Sequence, residues 1–410
     1  MDFLKTIIFI GTNKSGSSRE AVQAAVRLGY FTVLFTQNEK QIRQRREYTD
    51  IHEMTFVDIT SLSAMKKEVA KLQARGNEVI TIVSFIDSYV ATASKLCEEF
   101  CPNGTSAMAA EIMESKSLTR ERLADQPYTP AHFTLSPGES PELPALNHLS
   151  SYPLIVKISS STGSKNVLKV YNQKEMYRAV DMFQRKTPEE AIIIEEFIEG
   201  DQYLVEAMIC DGSVNIIGVI EQEITIGKRF IITGYGVLGH VPHELHDSIK
   251  DVLESIQETL NIRNGALHLE LRKTKSGWRL IEINPRISGG AMNSMLKVAF
   301  GFDVVEETLK LYVGDVPNLT PMHQRYVYTQ YVIVDQKGIL EKVTGKGRAM
   351  KSAGVKEVYI KPKKGTWLTP PLSMGHRYAY VIASGDTLEE AKALAKSAAQ
   401  HIQFHLQLND

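Results

Sequence analysis

Three cysteines among 410 residues, Cys97, Cys101 and Cys210, are too few for a disulfide framework. Cys97 and Cys101 stand one helical turn apart, but no other cysteine or histidine is near them in sequence to complete a metal site, so buried thiols in a reducing compartment are the favoured interpretation. A run of about 20 apolar residues, which a membrane-spanning helix requires, is also missing. The sequence therefore predicts a cytoplasmic protein without a membrane partner.

The chain also lacks any strong charge bias. Its 47 Lys and Arg residues balance 48 Asp and Glu residues, giving a net charge of −1. This balance lacks the polycationic character of nucleic-acid-binding proteins, so no nucleic-acid partner is predicted. The composition, 43% hydrophobic and 23% charged, is ordinary for a globular protein, and the length predicts two to four packed units.

Strand and helix patterns alternate at the start of the chain. The strands read "TIIFIG", "YFTVLFT", "MTFVDI" and "EVITIVSF", with helical spacing between them. This alternation predicts an α/β unit with a Rossmann-like parallel sheet. Residues 127–153 carry several prolines and predict a linker, and the later units have an α+β pattern. We predict four domains, at residues 1–111, 112–195, 196–315 and 316–410.

A hairpin with one polar face is predicted in "GALHLELRKTKSGWRLIEINPR". His268, Glu270 and Arg272 alternate with three leucines, which places the polar side chains on one face of the strand and the leucines on the other. If the turn centres near Ser276, Glu282 on the returning strand lies opposite Glu270.

Opposed carboxylates destabilise a hairpin unless a cation neutralises them. Together with the amide oxygen of Asn284, Glu270 and Glu282 form the oxygen-only set that Mg²⁺ prefers, and one or two ions, with Mn²⁺ as an alternative, are predicted. The competing interpretation is a surface hairpin in which Glu270 pairs with Arg272 or Arg279. A weaker zinc hypothesis concerns three histidines at three-residue spacing, His240, His243 and His246.

A nucleotide site is indicated by segments on either side of residue 160. Lys157 ends a strand and precedes the loop "SSSTGS", whose backbone amides can close over phosphates, and Lys116 begins a predicted helix in "ESKSLTRERL". The segment "IIIEEFIEGDQYLVEAM" offers backbone groups to an adenine edge. In contrast, "GTNKSGSS" lacks the lysine of a P-loop and favours a plain turn. Phe85, Asp87 and Ser88 follow a parallel strand and are candidate cleft residues, with a core role for Phe85 as the alternative.

In this order, the segments resemble the ATP-grasp family of carboxylate–amine ligases, and within it the bacterial L-amino acid ligases that make dipeptides. The motif "EINPRISGG" is the most specific part of the match. The resemblance implies the ATP-grasp fold, ATP and Mg²⁺ as cofactors, small-molecule amino acid substrates and a homodimer as one assembly state. Its implied nucleotide-binding residues are Lys116, Lys157, Ser161, Gly163, Ser164, Glu195, Glu196, Phe197, Ile198 and Gln202.

The resemblance also implies individual roles. Glu195 would contact the adenine amino group, and Arg286 would face the transferred phosphoryl group, with Lys157 as the second catalytic candidate. Gln202 stands where family members often have a glutamate for the ribose, and Asn166 replaces a loop glycine. The substrate candidates are Phe85, His240, His268, Ser288, Gly289 and Gly290.

The implied reaction is ATP-dependent ligation of two amino acids through an acyl phosphate, giving a dipeptide, ADP and phosphate. The alternatives are another ATP-grasp ligase of the carboxylase or nucleotide-pathway type and a nucleotide-binding module without turnover. A dinucleotide-dependent oxidoreductase, which the first domain suggests, is disfavoured by the incomplete glycine fingerprint.

Overall fold

The structure is a computed structural model and describes residues 4–140, 149, 152–160, 166–226 and 230–407. The helices are α1 (Ser17–Arg27), α2 (Glu39–Arg43), α3 (Leu62–Ala74), α4 (Val90–Phe100), α5 (Ala107–Glu114), α6 (Lys116–Arg122), α7 (Gln173–Lys186), α8 (His243–Leu260), α9 (Met292–Phe300), α10 (Val304–Val313), α11 (Lys346–Met350) and α12 (Leu388–Ala399).

The strands form four sheets. They are β1 (Leu4–Ile10), β2 (Phe31–Thr36), β3 (Glu53–Phe56), β4 (Asn77–Val83), β5 (His132–Leu135), β6 (Leu154–Ile158), β7 (Val167–Val170), β8 (Ile192–Glu196), β9 (Asp201–Cys210), β10 (Ser213–Ile226), β11 (Phe230–Val237), β12 (Gly265–Thr274), β13 (Gly277–Asn284), β14 (Tyr326–Val332), β15 (Gly338–Thr344), β16 (Val355–Ile360), β17 (Trp367–Leu368), β18 (Ala379–Gly385) and β19 (Gln403–Gln407).

The N-terminal sheet is parallel, in the order β3-β2-β1-β4. The middle of β1 is inaccessible to solvent, with Ile7, Ile8 and Ile10 fully buried. Such continuous apolar strands are expected where helices cover both faces of a parallel sheet. The predicted Rossmann-like α/β unit is confirmed, and its strand ends lie on the side where ligands gather in this class of fold.

A four-stranded antiparallel sheet follows, in the order β5-β8-β6-β7, with α7 packed against it. Strand β5 corrects the sequence interpretation of residues 127–153 as a linker, since His132–Leu135 pair with β8. Four residues between prolines are too short to show a strand period. Asn166 adopts a left-handed conformation with φ 55°, as its predicted replacement of a glycine requires.

The third sheet is the largest, with eight strands in the order β13-β12-β9-β10-β11-β14-β18-β16. Apolar residues of β12 face a core with α8, in which Leu267, Leu269 and Leu271 are fully buried. The opposite face carries the polar residues of the hairpin at one end and a second core with α9 further along. Packing of one face of β12 therefore fixes the register of the strand, and with it the positions of the polar side chains on the other face.

The C-terminal strands β14, β18 and β16 continue this sheet beyond residue 316, with α12 on one face, and β17-β15-β19 form a separate small sheet. The predicted domain limits stay a prediction, because the large sheet connects the last two units. No helix in the described part of the chain is both long and apolar enough to cross a membrane.

Truncating the apolar back of the hairpin is expected to destabilise the protein. Leu269→Ala leaves a cavity in the core with α8 and should cost about 2–5 kcal/mol. The midpoint of thermal unfolding measures this loss, and Val316→Ala, at a position that is 91% exposed, is the control. Equal midpoints for the two variants would contradict the packing described.

Candidate active site

Two glutamates face each other in the centre of the hairpin. Glu270 on β12 pairs with Glu282 on β13, so the predicted register is confirmed, and His268 pairs with Asn284. Both carboxylates are only partly exposed to solvent. Burial and the charge of Glu282 raise the pKa of Glu270, which is the expected response of two carboxylates that share one site.

The surroundings of the acid pair fit a hard cation. Glu270 accepts a hydrogen bond from Gln202 at 2.9 Å, and Lys116 lies 3.4 Å from Glu282. Arg272, which the competing surface-hairpin interpretation pairs with Glu270, instead bonds Gln202 and the carbonyl of Ile198. The amide nitrogen of Asn284 lies 3.5 Å from Glu282, so its side chain is within reach of the pair, and two carboxylates with an amide are a donor set that Mg²⁺ prefers.

Within the described ranges, no three His, Cys, Asp or Glu side chains gather as a metal site. The predicted magnesium ligands are two carboxylates and the amide of Asn284, so they do not form a group of that kind. The zinc hypothesis fails on the same observation, because His240, His243 and His246 do not form such a group. The rings of His240 and His243 meet edge to face, with centroids 6.3 Å apart. His246 lies beside Asp247 at the surface.

A fully buried charge network lies beside the acid pair. Lys157 on β6 and Arg120 on α6 both contact the carboxylate of Glu195 on β8, Arg120 at 3.1 Å. Burial lowers the pKa of Lys157 to about 8 despite the attraction of Glu195. Burial alone would raise the pKa of Glu195, but Lys157 and Arg120 lower it below its ordinary value. The carboxylate therefore stays ionised.

Arg120 connects this network to the hairpin. Its guanidinium also donates to the carbonyl of Ile281 on β13 at 2.9 Å, next to Glu282 in sequence. The sequence interpretation missed Arg120, although it follows Lys116 by four residues on α6 and so lies on the same helix face. Glu195, predicted to contact adenine, is occupied with Arg120 and Lys157, and its adenine role stays a prediction.

A second buried carboxylate, Glu206 on β9, was also missed. Its side chain is inaccessible to solvent and contacts the ring of His268 at 2.5 Å, while the amide of Ser288 donates to it at 3.1 Å. Burial would raise the pKa of Glu206, but His268 and Ser288 hold it below its usual range. Burial alone would lower the pKa of His268, but the negative charge of Glu206 raises it above its ordinary value. Glu206 therefore fixes the candidate substrate residues His268 and Ser288 together.

The N-terminal domain contacts the segment that follows the hairpin. Asp87, which follows β4, forms an ion pair with Arg286, so the structure brings these two predicted residues together. Ser17 at the start of α1 donates to the carbonyl of Ser288 at 2.6 Å. The "GTNKSGSS" turn therefore contacts the "ISGG" turn, in which Gly289 and Gly290 are exposed.

The remaining predicted residues have varied places. Phe197 lies under the ammonium group of Lys169, 3.4 Å from the ring centroid, and Glu196 accepts from the amide of Ala131. Phe85 is buried in the core against Tyr312, whereas His240 is exposed after β11. Their roles stay predictions. Ser161, Gly163 and Ser164, the predicted phosphate loop, lie outside the described residues.

Comparison with protein families matches three parts of the chain. An ATP-grasp N-terminal domain matches residues 22–100, an ATP-grasp domain residues 150–294, and the L-amino acid ligase C-terminal domain 2 residues 330–407. The chain belongs to the ATP-grasp superfamily. The predicted resemblance and fold are thereby confirmed. ATP-grasp enzymes are ligases that use ATP with Mg²⁺.

Individual relatives extend over most of the chain. The L-arginine-specific L-amino acid ligase of Bacillus subtilis is 22% identical, with 85% of each chain covered. The structure of an L-amino acid ligase from Bacillus licheniformis superposes with a TM-score of 0.80 at 20% identity, covering 100% of both chains. A biotin carboxylase domain dimer of the Hydrogenobacter thermophilus 2-oxoglutarate carboxylase, with MgADP and bicarbonate, has a TM-score of 0.70 at 16% identity, covering 99% and 92%.

Removing Arg120 is expected to leave the buried negative charge of Glu195 with only one of its two positive partners, Lys157. Arg120→Met should lower stability by about 3–5 kcal/mol, the usual cost of breaking a buried ion pair. The midpoint of urea unfolding measures this, with Arg122→Met, an exposed position on the same helix, as the control. Arg120→Lys should recover part of the loss. Wild-type stability of Arg120→Met would contradict the bridging role.

Proposed function

We propose that the protein joins the carboxylate of one amino acid to the amine of a second, giving a dipeptide, ADP and phosphate. The observation that carries the proposal is the combination of full-length similarity to L-amino acid ligases with an acid pair that lies on one hairpin with Asn284 and is followed by Arg286. The contacts of Asp87 and Ser17 with the segment after the hairpin place the N-terminal domain beside the residues proposed to bind these small substrates. The oligomeric state stays a prediction.

In the first step, an oxygen of the substrate carboxylate bonds to the γ-phosphorus of ATP while the bond to the β-phosphate oxygen breaks and ADP leaves. Lys116 and Lys157 would bind phosphate oxygens, since both lie beside the acid pair or its supporting network. Glu270, Glu282 and Asn284 would hold Mg²⁺, with Mn²⁺ as an alternative. When bound, the metal supplies positive charge that offsets the charge developing on the phosphoryl group.

In the second step, the amine of the other amino acid bonds to the acyl carbon, and phosphate leaves as the amine gives up a proton. Arg286 would steady the oxyanion and the departing phosphate. The amides of the turn at Gly289 and Gly290 would receive a substrate carboxylate, because glycine permits close approach. Release from Asp87 would free the guanidinium for this work, so the Asp87–Arg286 pair is the contact to follow when substrates bind.

A carboxylase-type ligase is the second candidate, because the biotin carboxylase domain shares the fold. The two functions differ in the substrates that phosphate release requires. A dipeptide ligase releases phosphate only when two amino acids are present, whereas a carboxylase requires bicarbonate.

A matrix of amino acid pairs with ATP tests the proposal, with phosphate release and product mass as readouts. Glu282→Gln should reduce phosphate release by about 100-fold or more, since a charged ligand of the site is lost. Its fold should persist, because the substitution relieves repulsion from Glu270. Glu258→Gln, exposed on α8, is the control. Normal release from Glu282→Gln would contradict the metal assignment, and bicarbonate-dependent release would favour the carboxylase.

The nucleotide affinity should weaken in alkaline solution. The pKa of Lys157 is lowered to about 8, so raising the pH from 7 to 9 removes its positive charge and its attraction for phosphates. The dissociation constant of MgATP should rise about tenfold over this range, as loss of a charge-assisted hydrogen bond predicts. Lys157→Arg, which keeps its charge, should flatten the dependence. A wild-type affinity that is constant from pH 7 to 9 would refute the prediction.

A further inference from the structure

The sheet face that carries Glu270 continues across three more strands to a pair of tyrosines. Paired residues of antiparallel strands point to the same face, and the register leads from Glu270 through β9 and β10 to Val237 on β11. Tyr235, two residues away, lies on that face and meets Tyr331 edge to face, with ring centroids 5.9 Å apart. Burial, together with the negative charge of Glu270, raises the pKa of Tyr235.

An arginine covers this tyrosine pair. The guanidinium carbon of Arg377, in the loop before β18, lies 3.9 Å from the ring centroid of Tyr331 and 5.7 Å from that of Tyr235. Its Nε donates to the carbonyl of Met374 at 3.1 Å. Stacking and this hydrogen bond hold the guanidinium plane in one orientation.

Arg377 has no acidic partner within the part of the chain that the structure describes. Its other contacts are long ones from Nη1, at 3.5 Å to the carbonyl of Ile232 and 3.4 Å to the hydroxyl of Tyr235. An arginine offers five N–H donors, so the Nη edge keeps unused donors in the fork geometry that matches a carboxylate.

Buried polar atoms beside the tyrosines also lack partners. The two residues that pair with Tyr235 in the ladder are Gln222 on β10 and Thr329 on β14. Each has a buried side-chain oxygen without a hydrogen-bond partner among the described residues. Buried polar groups are nearly always satisfied, so two orphaned oxygens flanking one tyrosine indicate a polar ligand.

Tyr331 connects the arginine to the turn proposed for substrate binding. The hydroxyl of Tyr331 lies against the backbone of Ala291, and a Cβ added to Gly290 would be 3.9 Å from the same hydroxyl. The ring under Arg377 therefore forms a wall that reaches the "ISGG" turn.

We infer that Arg377 receives a carboxylate of an amino acid substrate, distinct from the carboxylate that is activated. The inference rests on the proposed function and names a specificity residue for it. Two sources share this chemistry, the α-carboxylate of the amine-bearing substrate and the side-chain carboxylate of an acidic amino acid. In both cases the guanidinium binds the anion through two parallel hydrogen bonds and keeps it away from the phosphoryl group.

Calorimetric titration of the full-length protein tests the inference without turnover. The probes are the 20 proteinogenic L-amino acids and their α-amides, added to wild type, Arg377→Met, Arg377→Lys and Arg325→Met. The last variant removes the same charge from an exposed position just before β14. For amino acids that bind wild type, Arg377→Met should weaken binding about 10- to 100-fold, the cost of a lost charge-assisted pair. Arg377→Lys should lose less, and Arg325→Met should match wild type.

The amides identify the source of the carboxylate. If the α-carboxylate is bound, the α-amides bind weakly to wild type and Arg377→Met changes their affinity little. If a side-chain carboxylate is bound, the effect is confined to aspartate and glutamate. Wild-type affinities in Arg377→Met with an unchanged unfolding midpoint, or no amino acid binding to wild type, would overturn the inference. Dipeptide formation with unchanged KM values in Arg377→Met would overturn it while leaving the proposed function standing.

Discussion

The arrangement of the candidate active site depends on two carboxylates that a β-ladder forces to face each other. Glu270 and Glu282 cannot move apart, because the opposite face of β12 is fixed by three buried leucines. Their repulsion is tolerated only with positive charge close by, which Lys116 provides in part. Packing of the apolar core thus holds two negative charges close together at one place in the site. A divalent cation that also binds a polyphosphate is the class of ligand expected to balance them.

The buried charge network around Glu195 connects the hairpin to the neighbouring sheet. One ionised carboxylate holds Lys157 and Arg120, and Arg120 in turn reaches the backbone of β13. The position of Lys157 relative to the acid pair is therefore set by charged hydrogen bonds between elements and not by the loops alone. Such a network is costly to disrupt and keeps its geometry, which suits a reaction in which small displacements reduce the rate.

Residues that follow a local period could be predicted from the sequence, and residues that meet through tertiary packing could not. The two-residue alternation in the hairpin was enough to place Glu270 opposite Glu282, and the alternation of strands and helices gave the parallel sheet. Glu206 meets His268 from a strand about 60 residues away in the chain; its place inside the apolar run "YLVEAMI" signals a buried partner but does not identify it. Strand β5 was missed because four residues carry too little periodicity, whereas helical spacing from Lys116 was a usable signal for Arg120.

The same reasoning explains why the fold specifies chemistry more strongly than substrate. The residues predicted to bind metal and phosphate lie on strands and a helix whose positions are fixed by packing against the cores. The residues near Gly290 come from separate segments: Tyr235 and Tyr331 from two strands of the large sheet, Arg377 from the loop before β18, and Ser17 from the N-terminal domain. Each of these segments can change without disturbing the acid pair. We therefore expect substrate selectivity to depend on these segments, where the charge of Arg377 favours a ligand with a carboxylate.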